Sequence, residues 1–438
     1  MILNSPEVSL VVPTHNRSEL LEKLLRALLQ QTIPPEDFEI VVVADGCTDN
    51  TPEIVELFKE YLQVHLIEQP AQGQASARNI GASKSNGKLL VFLDDDIEPK
   101  PQFLEAHIRA HSENKRRVVI GYYPPLLKTQ TGYLRTELRS WWESTFQKMR
   151  HPGHRFTYSD FVSGNFSISA KIFNEVGGFD PIYRCHEDYE LGFRLLRAGV
   201  EFTHSVEAAG YHHERSDIHR AFKRKYDEGV ADVQLGMQHP SLRSTLLMSE
   251  LQKYSLLPSR LLKLLAFYWP AVGDFLAHFL GSQMEFMERI RWNGLWRRVL
   301  YGLMGYWYWR GVATELPGFL NVRDFLNDPA AESEASSVLE IDLAEGIARS
   351  ESLLDEFHPD RVQLRINDTK LGRIPYQPGS EPLRGRHLRP YLIHKLNVEL
   401  VNALLQEPDF PFPEAAPALA IRCEEFLRKK KSVQQTDQ

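Results

Sequence analysis

Cysteine is scarce in this chain: 438 residues carry 3, at Cys47, Cys185 and Cys423. An odd number of widely spaced thiols gives neither a disulfide framework nor a zinc-ligand pattern, and fits a reducing compartment. The first residues, MILNSPEVSL, lack a basic segment followed by an apolar one, so no secretory leader is expected there. No uninterrupted apolar run reaches the roughly 18 residues that a membrane-spanning helix needs. A basic surplus is missing too. With a net charge of -7 the chain has no domain-wide positive field of the kind that holds nucleic acid. No internal repeat is visible. These absences lead us to expect a cytoplasmic protein, either free or held peripherally at the cytoplasmic face of a membrane.

What is present is a globular composition, 42% hydrophobic and 25% charged, in a chain long enough for two or three domains. The first half alternates apolar runs with helical stripes. VSLVVPT reads as a strand. HNRSELLEKLLRALLQQ reads as a helix, with Leu20, Leu21, Leu24, Leu25 and Leu28 on one face and Asn16 and Glu19 at capping-box spacing. FEIVVVADG, VHLIEQ and KLLVFLD are further buried-type strands, and helices are expected from Thr51–Pro52 and over QASARNIGASKS. The alternation predicts an α/β domain with a doubly wound, mostly parallel sheet. RVVIGYYP and FVSGNFSIS follow as strands, AKIFNEVGGFDP as a short helix, and HEDYELGFRLLRAG as a helix stopped by Gly199. VEFTHSV and EAAGYHHERS close this domain, which we place at 1–235. A helical, aromatic-rich region is expected over 236–327 and a polar linker over 328–337. A small α+β module fills 338–438, where RVQLRI and TKLGRIPY pair around Asn367 and Asp368, between two helices.

The stretch LLVFLDDDIEPKP runs a core strand straight into Asp94, Asp95 and Asp96. In open parallel sheets ligands bind at the carboxyl ends of strands, where Thr14, Asp45 and Asp94 all fall. Asp94 and Asp96 form an Asp-x-Asp arrangement of hard oxygen donors suited to Mg2+ or Mn2+ bridging to a diphosphate. A solvated acidic turn is the plain alternative; position at the ligand edge favours the cation. His212 and His213 in YHHERS can add an imidazole to such a site or be ordinary turn residues. Glu187 and Asp188 open a helix, whose dipole stabilises carboxylates there, and the same place suits a general base. Arg78 can pair with phosphates or with the acidic run itself. Asn165 follows Gly164, whose missing side chain permits close approach, so its amide can meet a sugar hydroxyl or stabilise a turn.

Taken in order, VSLVVPTHNR, EIVVVADGCTDNT, GQASARNIGASKSNGKLLVFLDDDIEP, VSGNFSISAKIFNEVGGFDP, CHEDYELGFRLLRAG and GYHHE resemble the motifs of the family 2 glycosyltransferases. That is an inverting group with the GT-A fold, and the resemblance covers roughly residues 6 to 235. It implies transfer of a sugar from a nucleotide-diphosphate donor, a UDP-sugar by preference. The acceptor would be a hydroxyl of a saccharide or a lipid-linked molecule in glycan, polysaccharide or glycolipid synthesis. It implies that Pro13, Thr14 and Asn16 line the nucleotide pocket, that Asp45 contacts the base and that Arg78 steadies the diphosphate. Asp94, nearer the ribose, and Asp95 would lie along the donor. Asp96 and His212 would hold Mn2+ or Mg2+, with His213 the alternate ligand. Asp188 would be the catalytic base, and Gly164, Asn165 and Glu187 would face the sugar or the acceptor.

Two rivals were weighed. A sugar-nucleotide-forming nucleotidyltransferase carries a glycine-rich signature after its first strand, which VVPTHNRSEL lacks; a non-catalytic binding protein on a degenerate form of the fold would not keep Asp96, Asp188 and His212 together. Across 260–310, Trp and Tyr mix with Arg as they do in interfacial helices, which suits a peripheral membrane contact. Burial of these aromatics in a helical subdomain is the reading we favour from sequence. An oligomer is compatible with all of this.

Overall fold

Val8–Thr14 forms strand β1, buried along its whole length as a strand covered on both faces must be. The computed structural model describes residues 6–112, 116–126, 132–214, 217–253, 257–327 and 338–406. The linker expected at 328–337 and the last part of the C-terminal module, 407–438, lie outside these residues. After β1, helix α1 (Ser18–Leu28) buries the leucine stripe Leu20, Leu21, Leu24, Leu25 and Leu28. Then come β2 (Phe38–Asp45), α2 (Thr51–Phe58), β3 (Val64–Gln69), α3 (Gln74–Ser83) and β4 (Leu89–Leu93). β1 pairs in parallel with both β2 and β4, and β2 with β3. Gly81 lets α3 settle onto β1, since a Cβ there would lie 2.4 Å from Val11 Cγ1.

The capping box expected from Asn16 and Glu19 does not form. α1 begins after Arg17, and its Ser18 amide donates to Asp49 Oδ2 at 2.9 Å, so the cap comes from the neighbouring loop. Asn16, at a φ of 52°, turns its side-chain oxygen to the Thr48 amide at 2.7 Å.

The sheet is completed by β5 (Ile97–Pro99), α4 (Phe103–Ala110), β6 (Arg117–Tyr122), α5 (Tyr133–Met149), β7 (Asn165–Ser169), α6 (Ala170–Glu175), α7 (Glu187–Arg197) and β8 (Glu201–His212). Its eight strands run in the order β3-β2-β1-β4-β7-β6-β8-β5. β7 is antiparallel to β4 and β6, and β5 is antiparallel to β8, while β6 and β8 are parallel. The two segments VEFTHSV and EAAGYHH are therefore one strand, with a register irregularity opposite Gly121 and Tyr122.

This register decides what meets at the sheet edge. Because β7 is antiparallel, its first residue, Asn165, sits beside Leu93 at the end of β4, and the Asp94 amide donates to the Gly164 carbonyl at 2.9 Å. β8 ends with His212 opposite Ile97. The carboxyl ends of β1, β2, β4 and β8 and the start of β7 thus supply the site.

Helices α8 (Ile218–Gln238), α9 (Leu247–Lys253), α10 (Leu257–Tyr268), α11 (Pro270–Arg289), α12 (Asn293–Glu315) and α13 (Phe319–Leu326) follow. α8 and α12 cross through reciprocal glycines. A Cβ on Gly229 would lie 2.1 Å from the Tyr308 carbonyl oxygen, and one on Gly311 would lie 2.0 Å from that of Tyr226. Trp296, Tyr306, Tyr308 and Trp309 of α12 are buried and continue the core of the sheet.

The chain divides into two compact units, Met1–Arg150 with Phe156–Ser333, and His151–Arg155 with Glu334–Gln438. The second has its own apolar core. It contains β9 (Val338–Asp342), α14 (Ile347–Phe357), β10 (Arg361–Ile366), β11 (Thr369–Ile374), α15 (Gly385–Lys395) and α16 (Asn397–Gln406). The expected strand pair gains a third member, β9, parallel to β10. The single helix expected over HLRPYLIHKLNVELVNALLQ is two, divided at Leu396. Arg155 is held within this unit by the carbonyls of Glu381 (2.8 Å), Asp360 (3.2 Å) and Pro375 (3.4 Å).

Candidate active site

The three aspartates after β4 have three different surroundings. Asp94 accepts from Arg78 Nη2 at 2.8 Å. Burial raises its pKa despite that pairing. Asp95 is the most enclosed: Thr14 Oγ1 donates to its Oδ2 at 2.8 Å and Arg17 Nη1 to its Oδ1 at 3.0 Å, yet burial pushes it up to about 7. Asp96 shares the same Arg17 nitrogen, Nη1 donating to its Oδ2 also at 3.0 Å. Burial works to raise this carboxyl, but the imidazole of His212 and the Arg17 charge together hold it below the usual range. The like charges are thus offset by two arginines and a histidine.

Arg78 is almost wholly buried, and its second nitrogen, Nη1, donates to Glu187 Oε1 at 3.0 Å. Its plane lies over Phe179, 5.3 Å from the ring centre. The ion-pair alternative for Arg78 is the one the structure displays: it clamps the end of β4 to the start of α7. Next along α7 comes Asp188, whose Oδ1 accepts the Tyr189 amide at 2.9 Å. Burial, and then the Glu187 charge, lift its pKa to about 6, against His186, Arg224 and Arg78. The residue before this pair, His186, sits at a φ of 60° and its Nδ1 lies 3.1 Å from Asp232 on α8. Asp232 also accepts from the Tyr308 hydroxyl at 2.6 Å, so α8 and α12 brace the turn that presents Glu187 and Asp188.

The adjacent histidines separate cleanly. His212 Nε2 lies 3.5 Å from Asp96 Oδ1, whereas His213 Nε2 is 2.8 Å from Glu98 and faces away from the aspartates. Neighbours on a strand point to opposite faces, which is why the two diverge. Asp96 Oδ1 and His212 Nδ1 are buried and have no hydrogen-bond partner. An orphaned carboxylate oxygen beside an imidazole is a donor set that fits Mn2+. Among the described residues no three His, Cys, Asp or Glu side chains gather into a metal cage. A cation here would take its remaining ligands from donor phosphates and water, the usual manner of Mg2+-type sites.

Other expectations meet different surroundings. Asp45 is saturated by its own loop: its carboxylate accepts from Gln69 Nε2 and the Gln72 amide at 2.7 Å and from the Gly73 amide at 2.8 Å. Asn165 is corrected. It is fully buried, its Oδ1 2.9 Å from His107 Nε2 and its Nδ2 donating to the Ala208 carbonyl at 3.0 Å, so the amide serves the sheet and not a sugar. Gly164 is needed for packing, because a Cβ would lie 2.9 Å from the Tyr123 ring and 3.1 Å from Asp94 Oδ2. Pro13 is the penultimate residue of β1 and is buried with it.

Sequence reasoning passed over Arg17 and the aromatic wall. Arg17 closes the quoted VVPTHNR motif, and its reach across to β4 depends on the parallel pairing of β1 and β4. Tyr123 and Trp142 pack with their rings tilted, 5.0 Å apart, and both approach the His212 ring, at 6.0 and 6.1 Å.

The model of Glycosyl transferase family 2 matches residues 9–177. A validoxylamine A glucosyltransferase of Streptomyces hygroscopicus subsp. limoneus is 33% identical over 274 residues, 54% of this chain and 58% of its own length. Glycosyltransferase AglE of Haloferax volcanii is 41% identical over 235 residues, 53% of this chain and 75% of its own. A mannosyltransferase from Pyrobaculum calidifontis, solved with GDP-Man and Mn2+, aligns with a TM-score of 0.47 at 17% identity over 71% of this chain and 87% of that one. The matched motifs of β1, β2, β4 and β7 are those whose ends build the site, and on the strength of the match across three quarters of AglE the chain belongs to the family 2 glycosyltransferases.

Proposed function

We propose that this chain transfers a sugar from a nucleoside-diphosphate donor, a UDP-sugar, to a hydroxyl group of a saccharide or lipid-linked acceptor, with inversion at the anomeric carbon. The observation that carries the reading is two centres linked through their neighbours, since Arg78 bonds Asp94 and Glu187: the orphaned Asp96 oxygen beside His212 follows the first, and Asp188, lifted to about 6, follows the second. Asp188 takes the proton of the acceptor hydroxyl as that oxygen forms its bond to the anomeric carbon. The bond from this carbon to the phosphate oxygen breaks on the opposite face, and its electron pair leaves with the nucleoside diphosphate. Asp96 and His212 are the residues that would hold Mn2+ or Mg2+, which when bound offsets the charge gathering on the diphosphate. Arg78 acts through the two carboxylates it positions. Asp188 is ionised at neutral pH but basic enough to accept a proton, the balance a general base requires. The names of the relatives, a glucosyltransferase and a glycosyltransferase, support sugar transfer.

A thermal-shift panel of nucleoside diphosphates with and without Mn2+ tests the donor reading. Stabilisation by UDP that grows with Mn2+ is the expected result, and indifference to both would remove it. For the base, Asp188→Asn should keep UDP stabilisation while turnover collapses by about 10²-fold or more. Normal turnover in that variant would take Asp188 out of the mechanism.

A further inference from the structure

Helix α11 is built the opposite way from a helix whose outer face meets water. Its buried seam consists of Gly273, Ala277 and Gly281 with Met284. Val272, Phe275, Phe279 and Phe286 project outward at helical spacing and are 53% to 71% exposed. A helix packed on a soluble domain turns its large apolar residues inward, whereas this outer stripe has no apolar cover among the described residues. Exposed Trp269 and Trp292 extend it at either end. The aromatic burial expected for this region is met on α12 and not on α11.

Charge indicates what covers the stripe. At the corner between α11 and α12, Arg289, Arg291 and Arg298 are exposed beside Trp292. Residues 257–301 hold six Lys and Arg against three Asp and Glu, in a chain whose net charge is -7. A second copy of the chain would bring another cationic corner against this one. A bilayer surface bearing anionic headgroups offsets it, while tryptophans at the ends of an apolar stripe suit the headgroup boundary. No helix among the described residues is long and apolar enough to cross a membrane, so α11 would lie along the surface.

We propose that the outer face of α11 and the corner leading into α12 dock onto an anionic lipid surface. Phe275, Phe279 and Phe286 enter the headgroup boundary, and the three arginines meet lipid phosphates. The inference does not depend on the chemistry proposed above.

The experiment is co-sedimentation of the full chain with vesicles of phosphatidylcholine mixed with phosphatidylglycerol, and with phosphatidylcholine alone. Preferential pelleting with the anionic vesicles, weakened by salt, is expected. The variant Phe275→Ser/Phe279→Ser/Phe286→Ser should lose binding by roughly tenfold or more. Arg289→Gln/Arg291→Gln/Arg298→Gln should lose the anionic preference, by roughly fivefold per arginine at low salt. Both variants alter exposed positions, so unchanged melting confirms that they fold. Absence of pelleting with anionic vesicles, or undiminished pelleting of the phenylalanine variant, would overturn the proposal. So would a dimer in light scattering that the phenylalanine variant dissociates, which assigns the face to a second copy.

Discussion

Arg78→Met removes the guanidinium that bonds Asp94 at 2.8 Å and Glu187 at 3.0 Å, while keeping much of the apolar stem. Two carboxylates from separate elements are left facing each other, with the Asp188 charge close enough to act on the same centre. Breaking a buried pair from one side costs about 3–5 kcal/mol, because the desolvation of the surviving charges is no longer offset. Asp94 keeps 26% of its side chain exposed, so the lower end, about 3 kcal/mol, is the expected loss. For a unit of this size that lowers the melting temperature by roughly 5–10 °C. Asp94, already raised by burial, answers by holding its proton more tightly, which puts its folded pKa further above the unfolded one. Stability from such groups is present at low pH and is lost as pH rises through the folded value, so the deficit should be larger near about pH 8 than near about pH 5. Melting curves of the wild type, Arg78→Met and Arg78→Met/Glu187→Gln without nucleotide make the test, and neutralising Glu187 should recover part of the loss. If Arg78→Met melts with the wild type and its only defect is weaker UDP binding, Arg78 serves phosphate directly and this reasoning fails.

Three further outcomes are expected. The pH profile of kcat/KM should fall about tenfold per unit below about pH 6 and level off above it, since burial and the Glu187 charge raise Asp188; a midpoint near about 4, as for an ordinary aspartate, would contradict its assignment as the base. Gly311→Ala should destabilise by about 1–3 kcal/mol, because its Cβ would stand 2.0 Å from the Tyr226 carbonyl oxygen, and an unshifted urea midpoint would show that α8 and α12 part freely. Burial tends to lower the His186 pKa, but the Asp232 carboxylate outweighs it and the net shift is upward. The stability of that pair is present below the unfolded value of about 6.5 and lost as pH rises through the folded value, so Asp232→Asn should cost more in urea denaturation near about pH 6 than near about pH 9. A pH-independent cost would mean the pair is not ionised.

The strand ends were legible because they are written locally. An apolar run that stops at Thr14, Asp45 or Asp94 announces both the core strand and the group at its tip, and parallel pairing sets those tips side by side. The choice between His212 and His213 was not, since alternation along a strand says that the two diverge but only the register against β5 says which faces Asp96. Asn165 looked like a ligand contact because it follows a glycine, and its burial depends on His107 from α4, far away in sequence. The cap on α1 went astray for the same reason: Asp49, across a loop, supplies what Asn16 was expected to supply. Among the helices, α5 escaped notice because its polar stretch YLRTELRSWWESTFQKM shows no clean apolar stripe, and β9 because it adjoins a polar segment.

The C-terminal unit is assembled from two separated pieces of chain, and the short piece, His151–Arg155, comes from between α5 and β7. Gly153 adopts a φ of 82° and would strike Pro390 of α15 with any Cβ, and Arg155 spends its guanidinium on three carbonyls of the same unit. The unit is thus a graft with two attachment points in the sequence and not an appendage that can be trimmed away. A protein ended before residue 334 would keep the loop between α5 and β7 but lose the three carbonyls that hold Arg155, leaving that guanidinium without them. Shuffling this unit onto another transferase would require moving the pentapeptide with it.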